Sequence, residues 1–293
     1  LRMSRNKTVK EALAEAKKEL KESGAGEYKL DAELFMMKAT DMTKTSVLIN
    51  GDKLLTDREE ELFNSMVQKR KKGVPSQYIL GKCEFMGYEF FVDENVLIPR
   101  PDTEVLVETV LNVSQKENFQ NVIDMCTGSG CIAVSLVLNG IKSVEACDIS
   151  QGALSIAKKN AEHNNALDKI RFIQGDLFQN VDKNLNFDAV VSNPPYIPTD
   201  DINGLMREVR DNEPLTALDG GTDGLDFYRR ITKDSLEYLA DGGYLFFEIG
   251  FNQGEDLKKI MTDFGFDEIK IVKDYAGLDR VVFGYKRRGA DVI

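Results

Sequence analysis

The sequence predicts an α/β fold in which a doubly wound, mostly parallel sheet ends in an antiparallel hairpin and is preceded by a small bundle of helices. From about residue 121 onward, apolar strand segments alternate with helical segments, which is the pattern of a parallel sheet covered on both faces. The last two strand segments, 268–274 and 280–286, are joined by too few residues for a crossover, so they should pair antiparallel. The first 80 of the 293 residues carry helical patterns.

Two capping boxes mark helix starts in the N-terminal part. Thr8 and Glu11 open one amphipathic stretch, and Thr56 and Glu59 open another. In each pair the two side chains can satisfy backbone N–H groups of the first turn. A third helix is expected over the segment DAELFMMKAT. The basic run at 69–72 is interpreted as a solvated helix end, where cations suit the helix dipole.

The segment 74–98 differs in composition from its neighbours. It is rich in aromatic and β-branched residues and is punctuated by Gly81 and Gly87, which predicts a β-hairpin. We therefore expect three parts: a helical domain at 1–80, a hairpin linker at 81–98 and an α/β domain at 99–293.

The α/β domain contains strand and helix candidates in alternation. Strands are expected at 121–127, 143–149, 170–176, 187–193, 242–249, 268–274 and 280–286, and helices at 130–139, 151–163, 224–240 and 253–263. In such a sheet, the loops after the parallel strands converge on one edge, where ligands bind.

The composition narrows the functional classes. The net charge is −11, and the acidic excess lies in residues 81–293, so this part lacks the basic face that nonspecific binding to duplex nucleic acid usually needs. No apolar run approaches the roughly 20 residues of a membrane helix, and the first residues lack the apolar core of a signal peptide. We expect a cytoplasmic protein that binds no membrane.

Metal-binding patterns are weak in this sequence. The four cysteines form no C-x-x-C pair, and the single histidine, His163, is expected at the surface. We therefore predict free thiols and no metal site.

The first strand candidate runs into a glycine-containing turn, DMCTGSG. Gly128 and Gly130 stand where the chain must turn sharply into a helix, and glycine lets a ligand approach the main chain. Asp148 ends the next strand, where a carboxylate can accept from both hydroxyls of a ribose. These features fit a nicotinamide cofactor and S-adenosylmethionine equally well, because Gly128, Gly130 and Ala133 also match the relaxed dinucleotide pattern, and a structural turn that binds no ligand is a third interpretation.

Asp176 and Leu177 end the third strand candidate and should border the same crevice. Asp176 can accept from an adenine amino group while Leu177 packs against the base. The same two residues would also serve as a helix N-cap and a core residue, and the sequence leaves both interpretations open.

The fourth strand candidate ends in Asn193, Pro194, Pro195 and Tyr196, called the tetrad below. The prolines fix the backbone and remove two donors, so the Asn193 side-chain oxygen and the Pro194 carbonyl can both accept from one planar NH₂ group. Tyr196 can pack against the flat face of that group. Two acceptors would stabilise positive charge on the nitrogen during attack and aim its lone pair at an electrophilic methyl group. The tetrad thus predicts methyl transfer to an amide or an exocyclic amine.

Three motifs, DMCTGSG, ACDIS and VSNPPYI, resemble those of the Rossmann-like methyltransferases that use S-adenosylmethionine. Residues 74–104 and 207–225, with the helical N-terminal part, resemble more narrowly the release factor glutamine methyltransferases of the HemK/PrmC family. The resemblance covers nearly the whole chain. It implies methyl transfer from S-adenosylmethionine, leaving S-adenosylhomocysteine, to the glutamine amide in the Gly-Gly-Gln loop of bacterial peptide-chain release factors. It also implies a cytoplasmic enzyme whose helical domain contacts the release factor.

The resemblance assigns roles to individual residues. It implies that the turn formed by Cys126, Thr127, Gly128, Ser129 and Gly130 holds the cofactor together with Asp148, that Leu177 lies against the adenine, and that Asn193 is also near the cofactor. The tetrad, Asn193 to Tyr196, would hold the glutamine amide, with Asn193, Pro194 and Tyr196 acting in catalysis.

Three residues outside these motifs are also candidates. Asp102 is expected to cap a helix that begins near Thr103, and Arg100 is expected to face the crevice. Glu248, at the end of the fifth strand, should either face the crevice or cap the following helix.

Three alternative functions remain to be weighed. Nucleic acid adenine-N6 methyltransferases share the tetrad, but the acidic α/β part opposes that function. A noncatalytic binding module would not require Asn193. A nicotinamide dehydrogenase fits the glycines, but no acid for hydride transfer is visible.

Overall fold

The computed structural model describes residues 6–287, and the chain divides into two compact units. The first unit runs to Gly81 and includes Met206–Asn212, a segment that follows the tetrad in sequence. The second unit takes Lys82–Leu205 and resumes at Glu213. Within the described residues, no helix has both the length and the apolar character needed to cross a membrane.

The first unit consists of helices whose ends are set by the local sequence. They are α1 (Val9–Glu22), α2 (Tyr28–Thr40), α3 (Lys44–Ile49), α4 (Asp57–Lys71), α5 (Ser76–Leu80) and the single turn α9 (Arg207–Arg210). Both predicted capping boxes are present, at Thr8 and at Thr56. Apolar side chains such as Phe35 and Phe63 are buried in one core, which confirms the predicted helical bundle.

The prediction of extended structure from residue 74 is wrong at its start, because residues 76–80 form α5. Pro75 precedes this helix, and Gly81 ends it with a φ of 75°, in the left-handed conformation that glycine favours. The short α3 was not predicted, although Thr43 supplies a helix-capping side chain that accepts from Ser46 N.

Arg70 is buried, which corrects the expectation that the whole basic run at the end of α4 is solvated. Only 5% of Arg70 is exposed. Its Nε lies 2.7 Å from Asp31 Oδ2, and its Nη1 lies 2.7 Å from Glu208 Oε1. The guanidinium therefore joins α2 and α4 to the segment Met206–Asn212 inside the first unit.

A two-stranded hairpin opens the second unit. Strand β1 (Lys82–Phe85) pairs antiparallel with β2 (Tyr88–Phe91). Met86 and Gly87 between them both have positive φ, 52° and 76°, as in a type I′ turn. This hairpin, expected to link the domains, contributes Phe85 and Phe90 to a core of the second unit.

The other strands form one seven-stranded sheet in the order β5-β4-β3-β6-β7-β9-β8. They are β3 (Asn121–Met125), β4 (Ser143–Asp148), β5 (Ile170–Gln174), β6 (Phe187–Ser192), β7 (Leu239–Glu248), β8 (Phe266–Lys273) and β9 (Asp279–Lys286). The first five of these are parallel, and β9 lies antiparallel between β7 and β8. The predicted doubly wound sheet with a terminal antiparallel hairpin is confirmed.

Helices cover both faces of this sheet. They are α6 (Pro101–Glu117), α7 (Cys131–Leu138), α8 (Gln151–His163), α10 (Asp226–Ser235) and α11 (Gly254–Asp263). Neighbouring residues of one strand enter different cores, as Val122 and Ile123 do in β3. This alternation within a continuous apolar strand is what a sheet buried on both faces requires.

The predicted helix at 224–240 is too long at both ends. Helix α10 ends at Ser235, and Leu239 already belongs to β7, where it is paired with Phe187 of β6. Phe187 N also donates to Tyr238 O at 2.8 Å. Pairing between strands distant in sequence therefore overrides the helical pattern there.

Candidate active site

A cavity of about 450 Å³ opens at the carboxyl ends of β3, β4, β5 and β6. Its lining combines the loops after these strands with residues from 95–103 and 214–219. The predicted site residues in the lining are Cys126, Thr127, Gly128, Ser129, Asp148, Asp176, Leu177, Asn193 and Pro195. Gly130, Pro194 and Tyr196 lie outside the lining. The cavity occupies the edge where doubly wound sheets bind ligands, and its size suits a small cofactor.

The turn after β3 brings main-chain atoms to the cavity wall. Cys126 and Gly128 have positive φ, 60° and 53°, and a Cβ atom at Gly128 would meet no other atom within 4 Å. Asp124 supports the turn from inside, since its Oδ2 accepts from Thr127 Oγ1 at 2.6 Å. Desolvation raises the pKa of Asp124 to about 7. The open side of Gly128 therefore leaves room for a ligand against the backbone.

Asp148 connects the ends of β3 and β4. Its Oδ2 accepts from Gly128 N, and its Oδ1 accepts from Ser150 N, both at 2.9 Å. Burial raises the pKa of Asp148, and these backbone N–H groups oppose that shift. Each carboxylate oxygen retains a further lone pair, so the side chain can accept from ligand hydroxyls while it holds the turn.

Gly130 serves helix packing rather than the cavity wall. Its φ is 77°, and a Cβ atom there would lie 3.0 Å from Ala157 Cβ and 3.2 Å from Ala157 Cα. The absent side chain lets the start of α7 approach α8 closely. Gly130 therefore shapes the turn without lining the cavity.

Asp176 and Leu177 differ in their surroundings. Asp176 Oδ2 lies 2.7 Å from Arg230 Nη2, and both side chains are nearly half exposed. Asp176 stands at the N-cap position of the 3₁₀ turn 177–180, as one interpretation expected, but its side chain makes no capping hydrogen bond. Leu177 is only 5% exposed and packs in the core beside the cavity. Arg230 and Phe227 of α10 also line the cavity, and no sequence pattern had indicated them.

The tetrad leaves the sheet directly after β6. Ser192 Oγ donates to Met125 O at 2.7 Å, which ties the end of β6 to β3. Pro194 and Pro195 are buried, and Tyr196 is partly buried against an apolar core. Desolvation raises the pKa of Tyr196 to about 12, so its phenol is neutral near pH 7.

Three residues that were not predicted hold the tetrad backbone in place. A Cβ atom at Gly220 would lie 2.7 Å from Tyr196 Cα, and one at Gly224 would lie 2.4 Å from Tyr196 O. Gln253 Nε2 donates to Tyr196 O at 3.0 Å and to Gly224 O at 3.3 Å. These three residues matter because two backbone segments that are distant in sequence lie against each other, and the sequence alone does not reveal that contact.

The expected cap at Asp102 is wrong, and Glu248, expected either to face the crevice or to cap the next helix, does not line the cavity and does not cap α11. Helix α6 begins at Pro101, and Asp102 lies in its first turn, with Oδ2 3.2 Å from Arg280 Nη2. Residue 253, not Glu248, is the N-cap of α11. Glu248 is 2% exposed and lies beneath the cavity wall, beside Asn193 and Thr103.

Arg100 lines the cavity, as expected, and forms an ion pair with Glu213. Glu213 is 6% exposed. Since Arg100 belongs to the segment 95–103 and Glu213 immediately precedes 214–219, this pair joins two walls of the cavity.

The four cysteines are unmodified thiols, and the histidine lies at the surface. All four cysteines are free thiols, which confirms the prediction, and burial raises the pKa of Cys126, Cys131 and Cys147 far above their usual range. These thiols are therefore protonated near pH 7. His163 is exposed at the end of α8.

Together, the strand order, the glycine turn with the Asp148 carboxylate and the tetrad at the end of β6 define the class: a Rossmann-like, S-adenosylmethionine-dependent methyltransferase. Residues 101–208 match the family model described as "Methyltransferase small domain", and residues 11–81 match "PrmC N-terminal domain". The chain belongs to the release factor glutamine methyltransferase family. A protein of that name from Clostridium acetobutylicum is 40% identical over 281 residues, which are 95% of this chain and 98% of the relative.

A second relative and a solved structure are also similar to this chain. A release factor glutamine methyltransferase from Bacillus subtilis is 41% identical over 94% of this chain and 97% of the relative. The solved structure of the hMettl16 catalytic domain with MAT2A 3′UTR hairpin 6 matches 74% of this chain and 84% of that chain. Its TM-score is 0.58 at 20% identity, which shows a shared fold.

Proposed function

We propose that this protein transfers a methyl group from S-adenosylmethionine to the side-chain amide nitrogen of the glutamine in the Gly-Gly-Gln motif of peptide-chain release factors. The relatives carry the name of this activity. The observation that carries the proposal is the shared cavity, which Asn193 lines together with Gly128 and Asp148. A methyl donor and its acceptor must meet in one site, and these residues supply both halves of it.

The cofactor half of the site is formed by the turn 126–129 and Asp148. The start of α7 lies directly behind this turn, and the N-terminal end of a helix favours a carboxylate. Asp148 retains acceptor capacity for two ribose hydroxyls. When bound, S-adenosylmethionine supplies a methyl group carried on a positively charged sulfur.

The adenine is assigned to the apolar side of the cavity. Leu177 offers a buried apolar surface there, and we infer that it packs against the base. Asp176 is the weaker candidate for the amino group of the adenine, because Arg230 already occupies one of its oxygens.

The acceptor half of the site is the tetrad. We assign the Asn193 Oδ1 and the Pro194 carbonyl as acceptors for the two N–H groups of the glutamine amide, with Tyr196 against its flat face. An amide nitrogen is a poor nucleophile because its lone pair is delocalised. Two acceptors stabilise the positive charge that develops on the nitrogen during attack and hold its lone pair in line with the methyl group. As the nitrogen–methyl bond forms, the sulfur–methyl bond would break to leave the neutral thioether S-adenosylhomocysteine, and the methylated nitrogen would release one N–H proton to water.

The first unit is assigned to recognition of the release factor. Its residues 11–81 match the N-terminal domain of the family and carry no catalytic motif. The acidic excess of the second unit disfavours direct binding to nucleic acid. Because release factors act in translation, the reaction belongs in the cytoplasm.

Transfer of labelled methyl from S-adenosylmethionine to a purified bacterial release factor tests the proposal. The control is the same release factor with its Gly-Gly-Gln glutamine changed to alanine. We expect label on the first and none on the second. Label on DNA or RNA, and on neither release factor, would contradict the proposal and favour an adenine-N6 methyltransferase.

An Asn193→Ala variant in the same assay tests whether the tetrad acts on the acceptor amide. We expect it to lose most turnover while its affinity for S-adenosylhomocysteine, measured by calorimetry, stays within about threefold, because Asn193 acts mainly on the amide. An equal loss of turnover and of cofactor affinity would mean that Asn193 serves the cofactor instead.

A further inference from the structure

Glu248 lies beside Asn193 at the ends of two neighbouring parallel strands. Ser192 of β6 is in register with Phe247 of β7, so the next residues along the two strands are Asn193 and Glu248. Glu248 is 2% exposed, and its Oε2 has no hydrogen-bond partner among the described residues. A buried carboxyl oxygen without a partner is costly, so the position needs an explanation.

The structural roles open to Glu248 are filled by other groups. It does not cap α11, whose N-cap is residue 253. The Tyr228 hydroxyl donates at 2.8 Å to the backbone carbonyl of Glu248 and not to its side chain. Arg280, whose charge acts on Glu248, has its Nη2 3.1 Å from Asp274 Oδ2 and 3.2 Å from Asp102 Oδ2.

The polar and ionisable side chains around the carboxyl come from several elements. Thr103 of α6 and Asn193 after β6 favour its ionised form by hydrogen bonding, as Arg280 of β9 does by its charge. Asp102 opposes ionisation, as does burial, which raises the pKa of Glu248 to about 7. The phenols of Tyr196 and of Tyr228 on α10 and the thiol of Cys131 on α7 are also within electrostatic range.

Asn193 needs a fixed amide orientation, and Thr103 alone cannot provide it. Asn193 Nδ2 donates to Thr103 Oγ1 at 3.4 Å. A free hydroxyl can also donate, so Thr103 alone would pair equally well with an amide turned by 180°, but once its hydroxyl donates to the Glu248 carboxylate its Oγ1 can only accept. In that flipped state, Asn193 would present its NH₂ to the NH₂ of the acceptor, and the two donors would repel. A carboxylate, by contrast, only accepts hydrogen bonds.

We propose that Glu248 is a positioning residue: its carboxylate accepts from Asn193 Nδ2 and thereby turns Asn193 Oδ1 toward the acceptor amide. This inference rests on the proposed function of the tetrad. It assigns to Glu248 no contact with the substrate or with the cofactor, since Glu248 lies outside the cavity lining.

The test compares three variants of the full chain in the release-factor methylation assay. Glu248→Gln keeps the size of the side chain but can both donate and accept, so it should lower kcat about tenfold. Glu248→Asp keeps an acceptor-only carboxylate and should retain more activity than Glu248→Gln. Glu145→Gln is the matched control, because Glu145 lies in β4 away from the cavity and also has a pKa raised by burial. Its kcat should stay within about twofold.

Two readouts separate positioning from a merely structural role. The affinity for S-adenosylhomocysteine should be unchanged in Glu248→Gln, with most of the loss in kcat rather than in KM for the release factor. The kcat of the unchanged protein should rise between about pH 6 and about pH 8 as the carboxyl ionises, as should that of Glu248→Asp, whereas the profile of Glu248→Gln should flatten.

Three results would overturn the assignment. An unchanged kcat in Glu248→Gln at every pH would show that Asn193 needs no such partner. A parallel loss of kcat and of cofactor affinity would indicate a structural role, as would an equal loss in Glu248→Asp and Glu248→Gln. Failure of the unchanged protein to methylate release factors would instead contradict the proposed function itself. The role assigned to Glu248 would then fall as well, because it depends on that function.

Discussion

Gly220 lies directly against the backbone of Tyr196, at a distance that excludes any side chain: a Cβ atom at position 220 would come within 2.7 Å of Tyr196 Cα and 2.9 Å of Pro195 O. Both contacts are with backbone, so neither can be relieved by a change of rotamer. The loop that returns to the tetrad therefore determines where the tetrad lies.

We expect Gly220→Ala to displace the tetrad and to lower kcat at least tenfold, with a loss of about 1–3 kcal/mol in the free energy of unfolding from the overlap. Methylation assays and urea denaturation measure the two effects. Gly204→Ala is the matched control, because a Cβ atom there would meet nothing within 4 Å and the glycine lies in the same loop region. Equal activity of the two variants would contradict the close packing at Gly220.

Asp148→Asn should weaken the binding of S-adenosylhomocysteine about tenfold to a hundredfold, because the amide loses one acceptor and its NH₂ would face the N–H of Gly128 or of Ser150. Isothermal titration calorimetry measures the change.

A matched control for Asp148 lies at the opposite end of the sheet. Asp188 Oδ2 also accepts from two backbone N–H groups, those of Gln120 at 2.7 Å and Asn121 at 2.9 Å, and it does not line the cavity. Asp188→Asn should therefore lower stability and leave cofactor affinity unchanged. Equal loss of affinity in both variants would mean that the effect at Asp148 is global destabilisation.

The buried Glu248 should make the stability of the protein depend on pH. Its pKa is raised from 4.5 to about 7 in the folded state, so the folded state binds the proton more tightly than the unfolded chain does. The resulting stabilisation is complete below about pH 4.5 and is lost as the pH rises through about 7. At about pH 8 the loss amounts to about 3 kcal/mol.

Glu248→Gln should remove this dependence. Its free energy of unfolding should exceed that of the unchanged protein at about pH 8, and the difference should be smaller at about pH 5, where the native carboxyl is protonated. Urea denaturation at both pH values measures this difference in the free energy of unfolding. Asp124, whose pKa is also raised to about 7, should still lower the stability of both proteins as the pH rises. Parallel stability curves for the two proteins would contradict the raised pKa of Glu248.

Arg70→Met should destabilise the first unit by about 3–5 kcal/mol, because Asp31 would remain buried as an unpaired charge. Lys69→Met is the matched control, since Lys69 precedes Arg70 on α4 but is exposed. Limited proteolysis within residues 6–81 would report local loosening in Arg70→Met and none in Lys69→Met. Equal protection of both variants would show that the ion pairs contribute little.

Much of the site followed from short stretches of sequence, because its signals are local. A β-branched strand that runs into Asn193-Pro194-Pro195-Tyr196 must end there, and a strand that meets Gly128 must turn. Helix α8 has the predicted bounds, 151–163, since capping and periodicity are properties of a few successive residues. The convergence of these strand ends follows from the parallel order of the sheet.

The tertiary structure decided what lies behind these local features. Arg70 belongs to a basic run whose sequence predicts exposure to solvent. Only the fold brings Asp31 and Glu208 to Arg70. The sequence marks Glu248 only as the end of a strand. The register of β6 and β7 is what places Glu248 beside Asn193.

The sequence by itself determined the class of fold, the glycine turn, the carboxylate at Asp148 and the tetrad, because each depends on backbone preferences of adjacent residues. Only the tertiary structure decided that Gly130 serves helix packing, that Gly220 and Gln253 hold the tetrad, and that Glu248 is buried beside Asn193. Those features arise from contacts between residues far apart in the chain, and no pattern of neighbouring residues encodes such distances.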